Sequence, residues 1–163
     1  MRIPTWLLAA SLAALSAPAR AQLAPSSLAV ESGASAPIRG AGRADAPIVL
    51  GATRWLEGDV DATFRLAFGS APETAGRGAH RFVLASAGAR WSLLPDPVRP
   101  QLSAEAGFRR WSDGRLAPML AAGAGVEVFV ARDLSLTARG AARIPLGSGP
   151  PSADLTLGIA AYF

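Results

Sequence analysis

Residues 155–163, Leu-Thr-Leu-Gly-Ile-Ala-Ala-Tyr-Phe, carry an apolar side chain at every second position: Leu155, Leu157, Ile159, Ala161 and Phe163. Thr156, Gly158 and Ala160 alternate with them. A period of two belongs to a strand with two unlike faces, whereas an amphipathic helix would select i, i+3, i+4 and i+7. The chain therefore closes on a strand, and its final residue is aromatic.

The opposite end has a different pattern. Arg2 precedes an almost wholly apolar stretch from Trp6 to Leu15, and Ala19-Arg20-Ala21 forms an A-x-A site before Gln22. This combination predicts a cleaved signal peptide over 1–21, with 22–163 as the mature domain. The apolar stretch is too short for a membrane-spanning helix. No cysteine stands near the cleavage site to take a lipid anchor.

Export without a single cysteine means that stability must come from packing or membrane insertion and not from disulfides. About 140 residues remain after cleavage, enough for one domain. All basic residues are arginine, and the formal charge of +4 becomes +2 once Arg2 and Arg20 leave with the signal. The arginines are scattered, with no basic run and no interleaved aromatics, which argues against nucleic-acid binding. Half of the residues are hydrophobic and the mean hydropathy is +0.28, yet Leu116–Ala131, the best helical candidate, is broken by Pro118, Gly123, Gly125 and Glu127. A membrane form of this chain has to be a closed barrel, because lipid leaves an open sheet edge unsatisfied.

Alternating segments recur at Ser26–Pro37, Ile48–Leu56, Val60–Ser70, Arg81–Leu94, Pro100–Trp111, Leu116–Ala131, Leu134–Ile144 and Ala153–Phe163. These predict an all-β fold, an eight-stranded antiparallel up-and-down transmembrane β-barrel. Short links, such as Glu57-Gly58-Asp59 and Arg132-Asp133, nearly alternate with longer ones at 39–47, 71–80 and 145–152; Ser112–Arg115 is the short exception. In a membrane barrel the short turns are periplasmic and the long loops external, with both termini in the periplasm. On that topology Trp55, Trp91, Phe129, Tyr162 and Phe163 fall at the periplasmic end, and Phe68, Phe82, Phe108 and Trp111 at the outer end. The expectation is two interfacial aromatic girdles.

Alternation also assigns the charges. Strand three opposes Val60, Ala62, Phe64, Leu66 and Phe68 to Asp61, Thr63 and Arg65; strand five opposes Leu102, Ala104, Ala106 and Phe108 to Ser103, Glu105, Gly107 and Arg109. Arg139, Arg143, Glu127 and Asp154 fall on the polar faces of their strands. Facing is ambiguous in strands two and four, which leaves Arg54 and Arg90 unplaced. Eight strands enclose a lumen that side chains can fill. Asp61, Arg65, Glu105, Arg109, Glu127, Arg139, Arg143 and Asp154 are thus expected to form a charge-compensated plug, with a narrow ion path as the alternative.

The segment 123–139, Gly-Ala-Gly-Val-Glu-Val-Phe-Val-Ala-Arg-Asp-Leu-Ser-Leu-Thr-Ala-Arg, resembles the strand–turn–strand of OmpA-like and OmpX-like small outer-membrane β-barrel proteins. The closing strand resembles their C-terminal assembly signature, a final strand ending in Phe with a Gly upstream. The resemblance implies that Gly158, Tyr162 and Phe163 are read by the barrel assembly machinery, and that the protein resides in the outer membrane of a Gram-negative bacterium. It leaves no room for the periplasmic peptidoglycan-binding domain of OmpA, so no cell-wall role is implied. On this topology the outer side carries Arg39, Arg43, Arg77, His80, Arg81 and Arg115 against Asp45, Glu73 and Asp113. Arg39, Arg43, Arg77 and Arg81 are therefore candidate contacts for lipopolysaccharide phosphates, since the guanidinium fork suits phosphate.

Chemistry is sparse by comparison. Outer-membrane phospholipases and lipid A deacylases use Ser and His, yet the one histidine here is His80, the sequence has no asparagine, and His80-Arg81-Phe82 lacks the deacylase pattern His-x-Ser-Asn. Ser86 has no evident paired base and orienter. One histidine and no cysteine make no zinc site, and residues 147–151 lack the Lys-Ser/Thr of a phosphate loop. The expectation is a monomeric, non-catalytic protein without cofactor, having a structural, surface-interaction or narrow-permeability role. Two alternatives stand beside it: a soluble periplasmic barrel around an apolar ligand, in which every face would be reversed, and a lipid-modifying barrel enzyme.

Overall fold

The computed structural model describes residues 26–38, 45–71, 80–94, 97–147 and 150–163. The proposed signal peptide over 1–21 and the candidate lipopolysaccharide contacts Arg39, Arg43 and Arg77 lie outside these residues.

Eight strands, β1 (Ser26–Pro37), β2 (Ile48–Glu57), β3 (Val60–Ala71), β4 (His80–Ser92), β5 (Val98–Trp111), β6 (Leu116–Ala131), β7 (Leu134–Pro145) and β8 (Ser152–Tyr162), pair antiparallel in chain order. Pairing of β1 with β8, from Ser27 opposite Tyr162 to Pro37 opposite Ser152, closes the sheet into a barrel. Closure removes the unpaired edges that a hydrocarbon environment could not satisfy. Among the described residues no helix is long and apolar enough to cross a membrane.

Local chemistry sets the ends of the strands. Gly58 adopts a left-handed φ of 57° between β2 and β3, and Trp55 Nε1 donates to its carbonyl at 2.9 Å. A side chain would be strained there, so glycine fixes this tight link. Gly158 serves a different purpose at the closing seam. A Cβ at this position would run into the Val30 carbonyl and into Glu31, so the close approach of β8 to β1 requires a bare Cα.

The two faces follow the period of the strands. Leu28, Val30, Phe64, Phe68, Leu102, Phe108, Leu155 and Leu157 are exposed on the outside. Glu31, Arg65, Glu105, Glu127, Arg143 and Asp154 are buried inside. A soluble domain would invert this arrangement, because an unpaired charge is far costlier to bury than an apolar side chain is to expose.

The two girdles expected from the sequence need correction. Trp91, Phe68, Phe108 and Phe163 are exposed on the outside, and Trp55 is exposed at the rim on the inward parity of β2, opposite Asp61; Phe82 and Phe129 are buried in the lumen, Trp111 packs against the buried cluster there, and the Tyr162 hydroxyl reaches inward to Glu127. Parity is the reason. Trp111 stands two residues from Arg109 and Phe129 two from Glu127, so each shares the inward face with its charged neighbour.

Candidate functional site: a capped, charge-paired lumen

The interior is built in layers by inward positions of facing strands. Nearest the termini, Arg90 of β4 donates through Nε at 2.9 Å and Nη2 at 2.6 Å to Asp61 Oδ2, and its Nη1 lies 3.6 Å from Glu127. Glu127 of β6 is fully buried and accepts from Ser135 Oγ at 2.5 Å, Tyr162 OH at 2.6 Å and Gln101 Nε2 at 2.7 Å. Three donors and a nearby guanidinium thus replace the hydration of one carboxylate.

In the middle layer Arg65 forms a two-pronged pair with Glu31, at 2.9 and 2.6 Å, and Thr156 Oγ1 donates to the same carboxylate at 2.7 Å. Arg139 donates to Glu105 at 2.5 Å and to Ser103 Oγ at 2.9 Å, while Ser86 Oγ donates to Glu105 at 2.8 Å. Further toward the outer end, Arg143 Nε meets Asp154 Oδ2 at 2.5 Å. Arg109 lies with its guanidinium carbon 4.6 Å from the ring centre of Phe82 and 5.7 Å from that of Trp111.

Of the eight candidate lumen residues, Glu105 and Arg139 are partnered with each other, as are Arg143 and Asp154. Asp61 and Arg65 are not; each engages a residue outside that set, Arg90 and Glu31 respectively. Glu31 was legible, since Leu28 and Val30 point outward and put it on the inward parity. Arg90 was not, because β4 is apolar on both faces near its start, with Phe82 and Leu84 inward and Val83 outward. Arg54 is exposed and takes no part in the lumen. With Glu31 and Arg90 included, the named interior charges are five carboxylates and five guanidiniums. They cancel.

Both ends of the lumen are capped. Toward the termini, the Phe129 and Tyr162 rings pack at 5.1 Å and Arg99 lies 4.8 Å over Phe129. Toward the outer end, Val49, Ala67, Phe82, Leu84 and Met119 form a buried apolar cluster with Trp111 packed on it. Between the caps lies a cavity of about 40 Å³ bordered by Glu31, Arg65, Thr63, Glu105, Thr137 and Arg139. At about 10–15 Å³ for each water centre, that is room for a few waters.

The arrangement holds charge in place by paired side chains. Ser86 is committed to Glu105, and among the described residues no group of three His, Cys, Asp or Glu is disposed to hold a metal. Of the remaining candidates, Gly158 faces Glu31 across the seam, and Phe163 is exposed with its backbone paired to Ser26. Arg81 is exposed at the outer end of β4.

No family model and no curated protein matches this chain. Solved structures do. The crystal structure of Neisserial surface protein A superposes with a TM-score of 0.68 at 14% identity, covering 85% of this chain and 96% of that one. This chain has the fold of a small outer-membrane β-barrel. The same fold relates it to the N-terminal β-barrel domain of Pseudomonas aeruginosa OprF, with TM-score 0.60 and 18% identity over 84% of this chain and 97% of that domain. It also relates it to the outer membrane enzyme PagL, with TM-score 0.58 and 12% identity over 84% and 99%. Outer-membrane barrels of this size therefore include at least one enzyme, so the role of this chain has to be argued from its own residues.

Proposed function

We propose that this chain is an outer-membrane barrel of a Gram-negative bacterium that neither catalyses nor conducts, and whose role is structural or lies in contacts of its outer surface. One observation supports this most strongly: the lumen is filled by mutually neutralising ion pairs and capped at both ends, while the apolar side chains face outward. A soluble barrel for an apolar ligand would need an apolar interior instead. The enzyme reading lacks a nucleophile–base pair, since Ser86 bonds to Glu105 and the sequence holds a single histidine.

The same reading includes removal of the signal peptide after Ala21, a monomeric state, recognition of the Gly158, Tyr162 and Phe163 end by the assembly machinery, and contacts of Arg39, Arg43, Arg77 and Arg81 with lipopolysaccharide. The closed lumen is tested in planar bilayers. The refolded protein is expected to give no steady single-channel current. Large, stable conductance steps would point to a water-filled channel and overturn the proposal.

A further inference from the structure

At the outer end of the barrel two arginines stand on the lipid-facing side and not in the lumen. Arg110 of β5 pairs with Val83 on one side and Leu116 on the other, and Val83 pairs in turn with Phe68. All three neighbours are exposed apolar side chains, so Arg110 is the one charge in an otherwise apolar row across these four strands. Phe108, two residues along β5 on the same face, extends the apolar surface below it.

Arg81 of β4 lies one step nearer the outer end, its carbonyl accepting from Ser112 N at 2.8 Å. It is therefore the diagonal same-face neighbour of Arg110, a separation that long side chains bridge. Neither arginine has an acidic partner among the described residues. Arg115, by contrast, is held by Asp113 at 2.6 Å and stacks on Trp111. An arginine at the margin of an apolar band extends toward the headgroup level, which brings the Arg110 guanidinium toward that of Arg81.

We propose that Arg81 and Arg110, with Phe68, Val83, Phe108 and Leu116 beneath them, form a binding site for one phosphate-bearing lipid of the outer leaflet. This rests on the outer-membrane reading above and narrows it from the loops to one place on the wall of the barrel. The phosphate takes the two guanidinium forks, and acyl chains lie along the apolar row. Lysine would not reproduce this geometry, because it offers a point charge without a planar fork.

The probe is bisphosphorylated lipid A added to the folded full-length protein in detergent and counted by native mass spectrometry, with the dephosphorylated form measured alongside. The unaltered protein is expected to retain the phosphorylated form at least tenfold more tightly, and R81Q/R110Q to lose that preference. R54Q/R132Q, which alters exposed arginines at the opposite end, is expected to keep it. Equal retention of both lipid forms by the unaltered protein overturns the site, as does a preference that survives in R81Q/R110Q. Loss of the preference in R39Q/R43Q/R77Q, with the preference kept in R81Q/R110Q, would also reject this site while leaving those three arginines as the lipid contact. Heat-modifiable migration of every variant reports separately on the barrel itself, so a failure of the membrane reading is distinguishable from a failure of the site.

Discussion

Arg139→Glu is expected to destabilise the folded barrel by about 3–5 kcal/mol, the usual cost of breaking a buried ion pair. Arg139 is the cation that Glu105 holds at 2.5 Å, and the Glu31–Arg65 pair borders the same cavity. Reversal would leave Glu105 facing another carboxylate in an interior whose charges otherwise cancel. Urea unfolding of the protein refolded into lipid vesicles reads the loss directly. Adding Glu105→Arg restores opposite charges across the same strands, so the double variant should recover a substantial part of it. Recovery separates a specific pair from general damage to the lumen. An unchanged midpoint in Arg139→Glu alone would mean that the interior is wet enough to screen the pair, which contradicts a capped lumen.

The second large effect belongs to the outer face. Leu157 lies at the centre of β8 and is 63% exposed. On a soluble protein, replacing an exposed leucine with arginine changes stability by no more than about 0.5 kcal/mol. On a lipid-facing strand near the bilayer midplane the same change costs about 2–4 kcal/mol. Leu157→Arg is accordingly expected to lower stability in vesicles by that larger amount, while an arginine placed at the exposed Leu56, near the rim, costs about 0–1 kcal/mol. Equal, small effects at both positions would mean that the apolar face does not meet lipid.

The strands were largely legible because a half-buried strand writes its period into the sequence. β1 and β6 have the ends the alternation predicts; β4 begins at His80 and stops at Ser92 instead of running to Leu94, and β5 starts at Val98 instead of Pro100. Where one face is charged and the other apolar, as in β3 and β5, the inward residues could be named in advance. Alternation fails where the lumen itself is apolar. Phe82 and Leu84 look like lipid-facing residues until the register shows that they cap the outer end, and Arg90 on the same strand was ambiguous for that reason. Position near a strand end also misled for the aromatics. The distance of Trp111 or Phe129 from the rim says nothing about which face it occupies, whereas its parity with Arg109 or Glu127 does. The pairing of charges was the least accessible feature. It depends on the register between neighbouring strands, so that Arg65 reaches past Gly51 of β2 to Glu31 of β1 and not to the nearby Asp61 of its own strand.

The apolar face of this closed barrel is expected to meet lipid. Membrane fractionation with gel mobility before and after boiling tests it most directly, because a folded barrel embedded in detergent migrates differently from its unfolded chain. A chain lacking Phe163, run beside the full-length protein, reports whether the terminal residue governs how much barrel reaches the membrane. The full-length protein is expected in the outer-membrane fraction, with a mobility that shifts on boiling. Recovery in the soluble periplasm, with no shift on boiling, would contradict the account.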